Sequence, residues 1–122
     1  MFENLVPAYR EYAGRESLGK DDFDWALHPG GEAIIEGVKD TMALTEHQLR
    51  ASREIYRTRG NSSSPTVLIV LDKLRTMGRG SDHVVATSFG PGLTIEMVML
   101  RRCRGDEGEY RARSQAFSVT TT

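Results

Sequence analysis

The spacing of apolar residues changes several times along the chain, and each change marks an element. Residues 1 to 21 begin weakly amphipathic around Phe2, Leu5, Val6 and Tyr9 and turn polar through "GRESLGKDD", which predicts a short helix and a linker. "FDWAL", residues 23–27, is a compact apolar run that reads as a buried strand; Pro29 stops it, and Gly30 and Gly31 let the backbone turn. Ile34, Ile35, Val38 and Met42 then recur at helical spacing, predicting a helix over 32–43. Thr45 and Gln48 of "TEHQ" make a capping box that opens a second helix running to about Arg57. Its thin apolar face of Leu49, Ile55 and Tyr56 assigns that helix to the surface, with His47 towards water. After "GNSSSP", Ser64 reads as an N-cap and Pro65 as the first residue of a third helix. That helix, "TVLIVLDKLRTM", is apolar nearly all round in its first half and is expected to be buried on several sides.

Beyond "GRGSD", the runs "HVVATSF" and "LTIEMVML" read as two strands joined by a tight "GPG" turn, with Leu93, Ile95, Met97 and Met99 alternating in the second. The stretch 104–122 has few apolar residues and is expected to be a polar, disordered tail. The order strand, helix, helix, helix, strand, strand makes the chain α/β, without internal repeats. Three strands and one deeply buried helix need a further layer or more strands to cover them, so the pattern looks like part of something larger.

Composition removes several classes of function. The chain has 122 residues, 39% of them hydrophobic, with sixteen basic against seventeen acidic side chains, as expected of one ordinary soluble domain or part of one. "RTR" at 57–59 and "RRCR" at 101–104 are short and lack interleaved aromatics, so no nucleic-acid partner is expected. No apolar run approaches a membrane span, and "MFENLVPAYREYAG" is too acidic and too broken for a signal peptide. Cys103, the lone cysteine, cannot form an intrachain disulfide, which fits a reducing compartment and a cytoplasmic location. His28, His47, His83 and Cys103 show no ligand-like spacing, so no metal site is expected.

Two residues stand at element boundaries where chemistry is often displayed. His28 follows the first strand, and the carboxyl ends of strands are where open α/β sheets bind ligands. Histidine also titrates near neutral pH, although from the residues alone a structural hydrogen-bonding role is the commoner one for a lone histidine. Asn61 sits between Gly60 and three serines, immediately before the third helix; its plainer role is a turn residue in a left-handed conformation.

Taken together, "WALHPGG.AII", "LRAS", "GNSSS..VL.VLD.LR" and "SFGPGLTIEMVML" resemble the C-terminal region of the type III polyketide synthases, the chalcone and stilbene synthase family of the thiolase superfamily. The resemblance runs in unbroken order from about Phe23 to Leu100, and "ASREIYRTRGNSSSPTV" and "MLRRCR" resemble the fungal members. It implies the C-terminal part of a thiolase-like fold: residues 1–21 as N-terminal helix and linker, 22–103 as the chalcone/stilbene synthase C-terminal-like domain, and 104–122 as the tail. It further implies a homodimeric acyltransferase that needs no cofactor and uses coenzyme A thioesters, an acyl-CoA starter and malonyl-CoA, as substrates. Class III ketoacyl synthases share the His and Asn logic, but the proline and glycine pair after His28 favours the polyketide branch.

In that family a cysteine, a histidine and an asparagine catalyse the reaction, and His28 and Asn61 match the last two. The resemblance assigns Gly30 and Ala33 to the approach of the CoA arm, Ser63 to the lining of the elongation cavity, and Phe89, Gly90, Pro91 and Gly92 to a loop shaping the cyclisation pocket. The family's nucleophile lies far upstream in the other half of the duplicated fold, and Cys103 does not map onto it. The chain is therefore expected to need the N-terminal half of the fold as partner and to be inactive alone. Two other readings stay open: a non-catalytic fragment or interaction module derived from such an enzyme, and another thiolase-like condensing enzyme.

Overall fold

The computed structural model describes residues 5–15, 17–78, 80–102 and 117–121. Helix α1 spans Leu5–Arg15, β1 Phe23–Leu27, α2 Glu32–Met42, α3 Arg50–Arg59 and α4 Thr66–Thr76; strands β2, His83–Gly90, β3, Thr94–Arg101, and β4, Phe117–Thr121, follow. The strands form one sheet in the order β1-β2-β3-β4, parallel between β1 and β2 and antiparallel elsewhere.

Alternating strand residues feed two cores, one on each face of the sheet. On one face Trp25, Leu27, Val85 and Met97 pack with Ile35 and Val38 of α2 and with Tyr9 and Tyr12 of α1. On the other, Ala26, Val84 and Ala86 pack with Ala51 and Ile55 of α3 and with Val70 and Leu74 of α4. The N-terminal helix is thus a core element rather than an appendage. The Tyr9 ring lies 5.1 Å from that of Phe23 and 5.8 Å from that of Trp25.

The outer edge of β1 would expose unpaired backbone groups, and α3 with its preceding turn covers it. Trp25 N–H donates to the Gln48 carbonyl at 3.1 Å, and the Gln48 side chain donates to the Phe23 carbonyl at 2.9 Å. Ser52 Oγ accepts from Leu27 N–H at 3.0 Å and donates to the Trp25 carbonyl. Gln48 and Ser52 are consequently buried, and so are Leu49, Ala51 and Ile55, which corrects the assignment of this helix to the surface. The Thr45–Gln48 capping box forms as expected, with reciprocal bonds of 3.0 and 3.2 Å, but it closes a turn one residue ahead of α3.

Asp24 is a charged residue inside a strand, 1% exposed, and it is fully used. Arg50 donates to both its carboxylate oxygens at 2.7 and 3.2 Å, Ser81 N–H donates at 2.8 Å and Arg102 at 3.4 Å. This node ties the start of β1 to α3, to the loop entering β2 and to the chain leaving β3.

Two further expectations are corrected. Helix α4 is covered on one side only: Val70 and Leu74 are buried, while Leu68 remains 65% exposed. Within the expected tail, Phe117–Thr121 pairs antiparallel with β3, because the run "FSVTT" carries enough β-branched and aromatic residues to add a strand to that edge. The rest of the tail, together with Cys103, lies outside the described residues.

Candidate functional site

The end of β1 is built by local backbone chemistry. His28 N–H donates to the Thr87 carbonyl at 2.8 Å, extending the β1–β2 ladder by one residue. Pro29 has no N–H and ends it. Gly30 N–H turns back onto the His28 carbonyl at 2.9 Å, and the Gly31 carbonyl accepts from Ile35 N–H to start α2. His28 is therefore held by its backbone at the sheet's carboxyl end with its ring projecting. A Cβ on Gly30 would lie 3.0 Å from Ile34 Cδ1 and 3.3 Å from His28 Cδ2, so glycine there lets the imidazole and Ile34 close over the turn.

Asn61 comes from the α3–α4 connection. Gly60, at φ 67° and ψ −154°, donates to the Ile55 and Tyr56 carbonyls and turns the chain out of α3. The left-handed residue beyond it is Ser63, at φ 66°, and not Asn61, whose side-chain Oδ1 accepts from Ser63 N–H at 2.9 Å. Ser64 makes no side-chain cap to α4, contrary to expectation; Thr66, with its hydroxyl on the Ser63 carbonyl at 2.7 Å, closes that turn instead.

His28 and Asn61, 33 positions apart, line one open cleft of about 310 Å³ together with Ser63, Ser64, Val67, Ser88 and Phe89. The Phe89 ring meets the imidazole edge-on at 6.3 Å. Burial pushes the His28 pKa below its usual 6.5, so at neutral pH the ring is uncharged, with one N–H donor and one lone pair. No lining residue carries a formal charge. The cleft therefore offers an imidazole, an amide and three hydroxyls around a space open to solvent, suited to holding a polar, developing-anion centre by hydrogen bonds.

The other expected residues divide. Gly30 adjoins the His28 ring, but Ala33 is exposed on the first turn of α2 and does not line the cleft. Gly90 ends β2, Pro91 and Gly92 form the exposed turn into β3, with Gly92 at φ 69°, and only Phe89 of that motif reaches the cleft. Ser88 and Val67 carry no site assignment from the sequence, and Ser64 only that of a helix cap. Ser88 and Phe89 are neighbours near the end of β2, and both line the cleft. Among the described residues no three His, Cys, Asp or Glu side chains gather to hold a metal, and no helix is long and apolar enough to cross a membrane. Three larger clefts, of about 480, 440 and 350 Å³, are lined by neither histidine nor asparagine.

Comparison with known proteins gives this geometry a context. The family model described as chalcone and stilbene synthases, C-terminal domain, matches residues 3–104 and so takes in α1 as well. The type III polyketide synthase pspB of Penicillium soppii is 66% identical over 117 residues, covering 88% of this chain and 29% of that protein. A type III pentaketide synthase from Neurospora crassa superposes with a TM-score of 0.74 at 38% identity, covering 84% of this chain and 31% of that one. CsyB, in a structure complexed with CoA-SH, gives a TM-score of 0.64 at 35% identity over 69% of this chain and 23% of that one. The chain thus spans less than a third of each of these relatives.

Proposed function

The chain belongs to the chalcone and stilbene synthase family, within its C-terminal domain, and we propose that it works as the C-terminal catalytic portion of a type III polyketide synthase. In this reading the assembled enzyme is an acyltransferase that condenses an acyl-CoA starter with malonyl-CoA. The observation that carries it is the meeting of His28 and Asn61 at one cleft from two distant loops. When the malonyl C–C bond breaks, carbon dioxide leaves and the electron pair moves onto the thioester oxygen as an enolate. An imidazole N–H from His28 and the amide NH2 of Asn61 would donate to that oxygen, each contributing about 3 kcal/mol in the transition state. The same donors would serve the oxyanion formed when the enolate carbon attacks the starter thioester.

The acyl carrier in this chemistry is a cysteine thiolate from the remainder of the synthase, held beside His28. Its negative charge would raise the pKa of His28, opposing the lowering that burial produces here. Ser63, Ser88 and Phe89 would then border the growing chain, and Gly30 and Ala33 the approach of the CoA arm. We further propose a homodimer in the cytoplasm, with the N-terminal half of the fold as the partner that covers α4.

The test is complementation. The 122-residue chain is assayed with an acyl-CoA and radiolabelled malonyl-CoA, alone and as a chimera in which it replaces the matching segment of the Penicillium soppii synthase. Labelled polyketide from the chimera and none from the chain alone is the expected result. Product from the chain alone would overturn the need for an external nucleophile, and a folded chimera without product would overturn the polyketide reading.

A further inference from the structure

We infer that Thr66 is a positioning residue for Asn61, acting through the Ser62–Ser63 loop; the inference rests on the reading of Asn61 given above. Thr66 is 0% exposed, and its hydroxyl is used twice. It accepts from Ser62 N–H at 2.9 Å and donates to the Ser63 carbonyl at 2.7 Å, while Thr66 N–H donates to the same carbonyl at 3.0 Å. These three bonds hold Ser63 at φ 66°, a conformation that costs a non-glycine residue about 1–2 kcal/mol. The first of them fixes the peptide that joins Asn61 to Ser62 and the other two fix the Ser63 carbonyl, so the Ser63 N–H between them is held 2.9 Å from Asn61 Oδ1.

The consequence is chemical. An asparagine amide has a donor end and an acceptor end, and a rotation of 180° exchanges them. With Oδ1 engaged by Ser63 N–H, the NH2 is the end of Asn61 left to donate. If Thr66 lets go of Ser62 N–H and the Ser63 carbonyl, the Ser63 N–H turns away, and the released amide can present its carbonyl oxygen, which repels an enolate instead of stabilising it. Thr66 thus sets which end of Asn61 meets the reacting oxygen without itself touching substrate.

The experiment uses the chimeric synthase. Thr66→Val keeps the shape and removes the hydroxyl; loss of the Asn61 anchor lowers kcat about five- to tenfold, with the KM for malonyl-CoA unchanged. Thr66→Ser, which keeps the hydroxyl, restores kcat. Adding Ser63→Gly to Thr66→Val recovers part of the loss, because glycine adopts the left-handed conformation without the penalty. A Thr66→Val enzyme with parental kcat overturns the inference, and so does an equal loss in Thr66→Val and the Ser63→Gly double variant, which marks a packing defect. If Thr66→Val does not fold, Thr66→Cys, of similar size with a weaker donor and acceptor, is expected between Val and Ser; parental activity in it overturns the inference. Asn61→Ala separates the two levels: full activity there removes the reading of Asn61 itself, whereas loss there with parental Thr66→Val removes only the role of Thr66.

Discussion

Asp24→Ala is expected to destabilise the fold by about 3 kcal/mol. Asp24 is 1% exposed and accepts from Arg50 twice, from Ser81 N–H and from Arg102. Removing the carboxylate leaves two guanidinium groups and a backbone N–H facing a void, and breaking a buried ion pair from one side typically costs about 3–5 kcal/mol. The side chains of Arg50 and Arg102 keep 16% and 19% exposure and recover some hydration, so the lower end applies. Domains of this kind have roughly 5–15 kcal/mol in all, so the loss is a large share. Trp25, the only tryptophan, is fully buried next to Asp24 and reports unfolding by fluorescence in urea. At an m-value of about 1–3 kcal/mol/M the midpoint should fall by roughly 1–3 M. Asp24→Ala combined with Arg50→Ala should cost less than the sum of the single changes, since the two groups share one interaction. A loss under about 1 kcal/mol for Asp24→Ala would refute the reasoning and leave the node as a surface-grade pair.

Two further outcomes follow from the site and from α4. The His28 imidazole, followed by NMR in the chain, should titrate below 6.5; its unfolded form binds the proton first, so stability is kept above pH 6.5 and lost as pH falls towards the lowered value, and a pKa at or above 6.5 would contradict the burial seen at the cleft. With Leu68 exposed on α4, the isolated chain is expected to self-associate in sedimentation and Leu68→Glu to reduce that association; a monomeric parent chain, or association unchanged by the substitution, would contradict this.

Much of the fold was legible because period and burial coincide. Ile35, Val38 and Met42 mark the buried face of α2, and Ile95, Met97 and Met99 that of β3, as their spacing implies. Helix α3 was misread because the key buried residues of the helix and its preceding turn, Ser52 and Gln48, are polar: they are inside to satisfy the backbone edge of β1, a demand set by sheet order and invisible in a hydropathy pattern. Helix α4 was misread in the opposite sense, since its apolar residues record what it could pack against, not what covers Leu68. The cleft itself was legible only as motifs. "HPGG" and "GNSS" each mark a turn, but that their side chains meet depends on β1 lying beside β2 and on α4 starting at the same end of the sheet. Thr66 carried no signal, since a threonine in the first turn of an apolar helix reads as filler.

The most direct measurement is carbon dioxide release from malonyl-CoA by the chimeric synthase bearing His28→Ala, Asn61→Ala or Cys103→Ser. The expected result is a fall of about 10²–10³ in kcat for each of the first two, the loss of one oxyanion donor, with Cys103→Ser at the parental rate. Parental decarboxylation in His28→Ala and Asn61→Ala, or its abolition by Cys103→Ser, would contradict the assignment of the cleft as the site where the enolate forms.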